Sequence, residues 1–442
     1  MKKYLLTSML LFILSVFLTG CTEYTELSSR DPVTLIMWHN YGGEMQKTMD
    51  LLIDEFNATV GKEKGILVTV SAISSSSDLN NALDMIANEI PGAPQIPDIS
   101  TGYPKTAIQL QQKDMLADLD QYFTDEELSE YVDAFIEEGR LPDGGLYVFP
   151  LAKSTEVLYI NQTLFDEFAE QTGASADLLS TFEGIAELSR MYYEWSGGKQ
   201  FFTSDSWFNL AEVGMKQLGT SLFDEENNLS LENDSYMRIL ETLYTPATEG
   251  GFAIYDGYSS DLSKTGDIIC STGSSAGILF YGDTITFPDS STREVEYNIL
   301  PYPVFENAQK WALQRGGGLI VFKSEDRREL AAAEFLKWLT APEQNMSFIS
   351  QTGYLPVTKQ AFESDLLTHL ENMEDGQIKK MLTSVLSMYE EYRFFAAPNF
   401  MEFDEISEGY ETNFKNQMTE GQKAYQENSP VSVLDVQREL MK

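Results

Sequence analysis

The sequence predicts an α/β protein with mostly parallel sheets flanked by helices, and three observations lead there. Short apolar runs that do not alternate, 33–38 (VTLIMW) and 66–73 (ILVTVSAI), read as strands covered on both faces. Each is followed by an amphipathic helical pattern, and such βαβα alternation implies right-handed crossovers. The chain has 442 residues, enough for two or three domains, and its 43% hydrophobic and 12% aromatic content is that of a globular protein rather than a disordered one.

Taken in order, 33–38 is expected as a central strand. Met45, Met49, Leu52, Ile53 and Phe56 then share one helical face, in a helix ending near Gly61. After the strand 66–73, Asp78 is placed to cap a helix whose Leu79, Leu83, Ile86 and Ile90 lie together before Pro91 stops it. Residues 105–112 and 126–138 read as helices, and the Gly144-Gly145 turn leads into strands at 146–151 and 156–160. Helices follow at 163–172, closed by Gly173, and at 181–195, ended by Gly197 and Gly198. A β-rich passage spans 267–281, with further strands at 298–304 and 317–322, and the segment 325–339 is a strong helix ended by Pro342. The last hundred residues read as helices broken at Ala396-Ala397-Pro398.

The first twenty residues are a separate object. Lys2 and Lys3 precede a mostly apolar run, 4–18, that is shorter than the roughly 20 residues of a bilayer span, which is the form of an export signal. It ends in Leu18-Thr19-Gly20-Cys21, similar to the lipobox of bacterial lipoproteins, so the sequence predicts cleavage before Cys21 and acylation of that residue. Two acyl chains would anchor stably where one is marginal. The polar segment 22–32 is a tether, reaching at most about 36 Å at about 3.3 Å per residue. With Cys21 acylated, Cys270 has no intrachain partner and no disulfide is expected.

Charge excludes several function classes. The 30 Lys and Arg stand against 69 Asp and Glu, a net charge of −39, so nucleic acid and anionic membrane surfaces are repelled. Only His39 and His369 are available to a histidine metal site, and 224–232 has Leu229 where a calcium loop needs glycine, so no metal or cofactor is expected. Gly273-Ser274-Ser275-Ala276-Gly277 matches the nucleophile elbow of a hydrolase, with Asp365 and His369 following in the right order. An extracytoplasmic serine esterase using Ser275 is therefore the alternative reading. Against it, the apolar segment 278–281 looks β-like where the elbow needs a helix, and Asp365 and His369 sit one turn apart on one helix.

Three clusters suit a polar small molecule instead. Trp38-His39-Asn40-Tyr41-Gly42-Gly43-Glu44 lies at the carboxyl end of the first strand, where ligands gather in open α/β sheets. There Trp38 and Tyr41 offer ring faces and Glu44 accepts hydrogen bonds from hydroxyls. Ser154 and Thr155 stand at the mouth of an apolar strand, where hydroxyls serve either a ligand or nearby backbone. Gly316, Gly317 and Gly318 precede the strand LIVF as either a ligand cradle or a crowded crossing.

Together the lipobox, WHNYGGE, AKSTEVLYINQTLFDEF, EDRRELAAAEFLKWLTAPEQ and QTGYLPVTKQAF resemble the extracellular solute-binding proteins of ABC importers, in the maltose-binding superfamily. Within it WHNYGGE, KSTEVLY, STGSSAG, GGG and TGYLPVTK are most similar to proteins that bind glycerol-3-phosphate and glycerophosphodiesters, and sugar-binding relatives share much of the pattern. The resemblance implies the two-lobed periplasmic-binding fold of type II, a non-enzymatic monomer that closes on its ligand and hands it to a permease. It places one lobe at 33–151 plus 278–344 and the other at 152–277 plus 345–442. Carried over by position, the contacts are Glu44, Ser154, Ser274 or Ser275, Gly317, Tyr354 and Arg393, with Arg393 forking onto phosphate oxygens. The chain departs from those relatives at Ser76-Ser77-Asp78, where they have a tyrosine, and at Tyr103-Pro104, where they have a glutamate after an aromatic, so Asp78 and Tyr103 are the contacts expected in their place. For an oligosaccharide, Trp38, Tyr41 and Trp207 are the expected stacking platforms.

Overall fold

The computed structural model describes residues 26–73 and 75–441, so Cys21 and the expected export signal lie outside the described residues. Its strands are β1 Val33–His39, β2 Ile66–Ala72, β3 Ile99–Gly102, β4 Phe149–Pro150, β5 Ser154–Asn161, β6 Phe202–Ser204, β7 Cys270–Ser274, β8 Thr284–Thr286, β9 Thr292–Glu294, β10 Tyr297–Leu300, β11 Trp311–Arg315, β12 Gly318–Val321 and β13 Arg393–Ala396. They form one sheet in the order β2-β1-β3-β12-β4, a second in the order β13-β11-β5-β7-β6 with β10 also on β5, and the small hairpin β8-β9. Each large sheet, with its helices, is one lobe.

In the first sheet β1 runs parallel to β2 and β3, Val33 opposite Ile66 and Met37 opposite Ile99, with Leu35 and Met37 fully buried as the apolar run foretold. β12 enters antiparallel between β3 and β4. In the second sheet all eight residues of β5 are buried, and β5 is antiparallel to β7, β10 and β11. The sheets are thus mixed rather than mostly parallel, because strands that return from the other lobe enter against the direction of the βαβ units.

The lobe boundaries differ from the sequence reading. Residues 278–315 do not return to the first lobe at Ile278, since β10 and β11 pair with β5 of the second sheet. The return comes at Gly316 and Gly317, between β11 and β12, alongside the outward crossing at 151–153 between β4 and β5. The third crossing is also later than Gln344. The helix Pro342–Thr352 packs on the first-lobe helix Gly43–Ala58, and the chain passes over near Tyr354 and Leu355, where Leu355 bridges to Lys153. Asn345 staples this hinge, its Nδ2 donating to Leu151 O at 2.8 Å and its Oδ1 accepting from Val357 N at 2.9 Å.

The triple glycine is a crowded crossing. Gly316 has φ +102°, and a Cβ there would lie 2.5 Å from Ala152 O, while one on Gly318 would lie 2.4 Å from Phe149 O. Smaller differences follow local chemistry. Ser75, not Asp78, caps the helix Ser76–Ala87, its Oγ accepting from Asp78 N. Residues 126–138 split into Asp125–Ser129 and Asp133–Gly139, and Pro342 opens a helix at its first position instead of only ending one. Of the segment expected as β-like at 278–281, residues 278–280 belong to the 3-10 helix Ser275–Phe280.

Candidate functional site

Between the lobes lies a cavity of about 520 Å³ whose wall comes from both sheets and from the crossings. The first lobe contributes Asn40, Tyr41, Leu79, Asn80 and Tyr103, the second Asp205, Tyr258, Asp261, Lys264, Ser274, Phe280 and Tyr281, and the crossings Ala152, Gly317 and Tyr354. This is the carboxyl end of β1 and β3, as the topology of open α/β sheets requires.

On the first-lobe side the rings stand on a common support. Tyr41 follows β1 and packs on His39 and on Phe348, at centroid distances of 5.4 Å each, and Phe348 also stacks on Tyr354 at 6.1 Å. His39 Nδ1 accepts from Tyr41 N at 3.3 Å, and burial lowers the histidine's pKa. Burial pushes Tyr354 up to about 12 and Tyr41 well above the ordinary phenol range, so both face the cleft as neutral phenols that donate and accept. Tyr103, 44% exposed, directly precedes the helix Pro104–Gln111, where proline at the first position fixes the chain's exit from β3.

On the second-lobe side Asp205 leaves β6 and precedes the helix Trp207–Gln217, which Ser206 caps. Its Oδ1 accepts from Ser259 N at 2.7 Å, and its Oδ2 occupies space that a Cβ on Gly273 would invade at 2.4 Å. Burial raises its pKa, with the Ser259 bonds pulling the other way. Ser274 ends β7 and donates to Ser154 Oγ at 3.3 Å. Tyr281 stacks on Tyr159 at 4.0 Å and its hydroxyl meets Ser259 and Ser271, whereas Tyr258 and Phe280 stand 73% and 54% exposed. Lys264 is paired with Asp261 at 3.0 Å.

Of the residues expected at a ligand, Tyr41, Tyr103, Ser274, Gly317 and Tyr354 lie on this wall, and Ser154 is one hydrogen bond behind it. The others do not line it. Trp38 is buried in the first-lobe core with Leu79 and Leu83, because its place in β1 turns it toward the helix Ser76–Ala87. Glu44 is exposed and pairs with Lys47 at 2.5 Å, one turn into its helix. Asp78 is exposed and its carboxylate accepts from Ser75 Oγ, completing the helix cap. Thr155 is fully buried and donates to Leu313 O at 2.9 Å. Trp207 is fully buried against Phe202, Phe252 and Phe414, a core residue and no platform. Arg393 stands at the outer end of the edge strand β13, over the Trp311 ring at 5.7 Å, away from the cleft. Sequence reasoning missed Asp205, Tyr258, Phe280 and Tyr281, and the one signal was two aromatics set in polar surroundings, IYDGYSSD.

The esterase alternative fails on geometry. Ser275 is fully buried with its Oγ accepting from Thr155 N at 3.3 Å, and His369 lines a separate surface hollow with Pro342 and Asp365. Asp224 holds a solvated turn, accepting from Glu226 N and Asn228 N at 2.9 Å. Among the described residues no group of three or more His, Cys, Asp or Glu is arranged for a metal ion, and no helix is long and apolar enough to cross a membrane.

Comparison with known proteins agrees with this architecture. The sn-glycerol-3-phosphate-binding periplasmic protein UgpB of Escherichia coli (strain K12) is 24% identical over 349 residues, covering 75% of this chain and 75% of its own. Among solved structures, the cyclic alpha-maltosyl-1,6-maltose binding protein from Arthrobacter globiformis superposes with a TM-score of 0.72 at 19% identity, over 93% of this chain and 97% of that one. UgpB from Mycobacterium tuberculosis, in complex with glycerophosphocholine, gives 0.68 at 18% identity, over 92% and 99%. The model of the family described as bacterial extracellular solute-binding protein matches residues 52–375, most of the chain, and the protein belongs to that family, the solute-capturing components of ABC importers.

Proposed function

We propose that the chain captures a neutral carbohydrate, an oligosaccharide in preference to a phosphorylated glycerol, by closing its lobes around the cleft. The observation that carries this is the wall itself. Six aromatic side chains line it, Tyr41, Tyr103, Tyr258, Phe280, Tyr281 and Tyr354, while its charged groups are Asp205, Asp261 and a Lys264 already paired with Asp261. Ring faces suit the C–H faces of sugars, and the phenols, Asn40, Asn80 and Asp205 suit hydroxyls. A phosphate is favoured by an uncompensated guanidinium fork or a cluster of N–H donors; the Arg393 expected in that role stands away from the cleft, and Arg315, behind Ser154, is already paired with Glu156. The relatives named above support both ligand classes, and the wall's chemistry favours the sugar. The protein acts as a binding component without catalysis of its own, tethered by an acylated Cys21 beside the permease that reads its closed form.

The test is calorimetric titration of the mature, non-lipidated protein with maltose, longer neutral oligosaccharides, glycerol-3-phosphate and glycerophosphocholine. Saturable binding of a neutral saccharide is expected, with a rise in Tm, since a ligand at 100 times its Kd adds about 2.7 kcal/mol of stability. Binding of the phosphates alone would overturn the reading.

A further inference from the structure

Arg315 ends β11 directly opposite Ser154 of β5, and Glu156 lies directly opposite Ser274 of β7. Opposed residues of an antiparallel pair share a face, and alternation along β5 puts Ser154 and Glu156 on one side. Arg315, Ser154, Glu156 and Ser274 therefore occupy one face of the second sheet, and Ser274 is on the cleft wall. The next residues after Arg315 are Gly316 and Gly317, and Gly317 is on that wall too.

The guanidinium is held from behind. Nη1 donates to Glu156 Oε1 at 3.0 Å, and the same oxygen accepts from Asn209 Nδ2 at 2.8 Å. The Glu156 side chain is 2% exposed, that of Arg315 37%, so the pair has a buried end and an open end. Nε and Nη2, which carry three of the five N–H donors of an arginine fork, have no hydrogen-bond partner among the described residues. The charge also reaches Asp205 and Tyr354, both on the cleft wall, through space. With Glu156 bonded to it and Asp205 nearby, Arg315 is locally compensated, which suits donation to neutral hydroxyls better than capture of a phosphate.

Resting on the carbohydrate reading above, we propose that Arg315 is a specificity-determining residue that donates its free N–H groups to a ligand hydroxyl, with Glu156 and Asn209 as positioning residues that fix its fork. The experiment is calorimetric titration of wild type, Arg315→Gln, Arg315→Lys and the double variant Glu156→Gln/Arg315→Gln, which avoids leaving a buried carboxylate alone. The ligand is the neutral saccharide of the panel with the highest affinity for wild type, together with its monodeoxy analogues. Arg315→Gln and the double variant are expected to lose at least tenfold in affinity for the parent sugar, about 1.4 kcal/mol. For one deoxy analogue they should match wild type, the contact having been removed from the ligand side. Arg315→Lys should recover part of the loss, and Arg393→Gln should bind as wild type does. Unchanged affinity, or equal loss for the parent and every analogue, would overturn the assignment. If wild type binds only glycerophosphocholine, the saccharide reading is what fails, and the same variants titrated with that ligand then decide Arg315, unchanged affinity overturning it.

Discussion

Glu212, on the helix Trp207–Gln217, is buried, and its Oε2 has no hydrogen-bond partner among the described residues. Burial first, and Glu156 second, push its pKa up to about 8, with Lys216 pulling the other way. The folded state then holds this proton more tightly than the unfolded chain does. Its contribution to stability is fully present below about 4.5 and is lost as pH rises through about 8. Glu212→Gln is expected to remove that loss, so that calorimetry finds the variant's Tm above wild type on the alkaline side and the gap closing toward acid; a gap constant with pH would contradict the assignment. Single residues were also where the sequence misled most. Trp38 and Trp207 have the same sequence surroundings whether they face a ligand or a core, because only the direction of Cβ separates the two. Both turned inward. Tyr41 and Tyr354 were legible because each follows an element end next to glycine, where a side chain is carried out to the rim.

Elements were legible in proportion to their apolar periodicity. β1 and the helix Gly43–Ala58 emerged from the sequence almost as the structure has them, whereas β11, with the sequence WALQR, and β13, with RFFA, did not. Four or five residues with an arginine at one end carry too little alternation, and their strand character comes from pairing with partners far along the chain. The junction of β11 and β12 is where element geometry is most exacting. Gly316→Ala would place a side chain at φ +102° and 2.5 Å from Ala152 O, a strain of about 1–3 kcal/mol. A Tm several degrees lower is expected by scanning calorimetry, together with weaker ligand binding, because Arg315 and Gly317 flank the site of strain. A variant as stable as wild type would show that the crossing can yield.

At the scale of the molecule, the number of lobes followed from the family resemblance, but their boundaries did not, since nothing local marks which sheet a short strand joins. The acid-rich composition and the expected export signal bear on location. With a net charge of −39 the chain gains nothing from an anionic bilayer, so attachment would rest on the acyl anchor proposed above. Cys21→Ser is expected to move the protein from the membrane fraction to the soluble one and to abolish labelling by radioactive palmitate, while ligand affinity stays the same. Retention of the variant in the membrane fraction would reject the anchor.

The position of β12 between β3 and β4 has a consequence for synthesis. Residues 318–321 complete the first sheet, yet they follow nearly all of the second sheet in the chain. As the polypeptide emerges, β1, β2 and β3 have to wait with an open edge for more than two hundred residues, and loop closure over that span is slow. For the exported form proposed above, this delay favours passage through a secretion channel before the first sheet closes, and the strand that completes that sheet lies directly after the Gly316-Gly317 crossing.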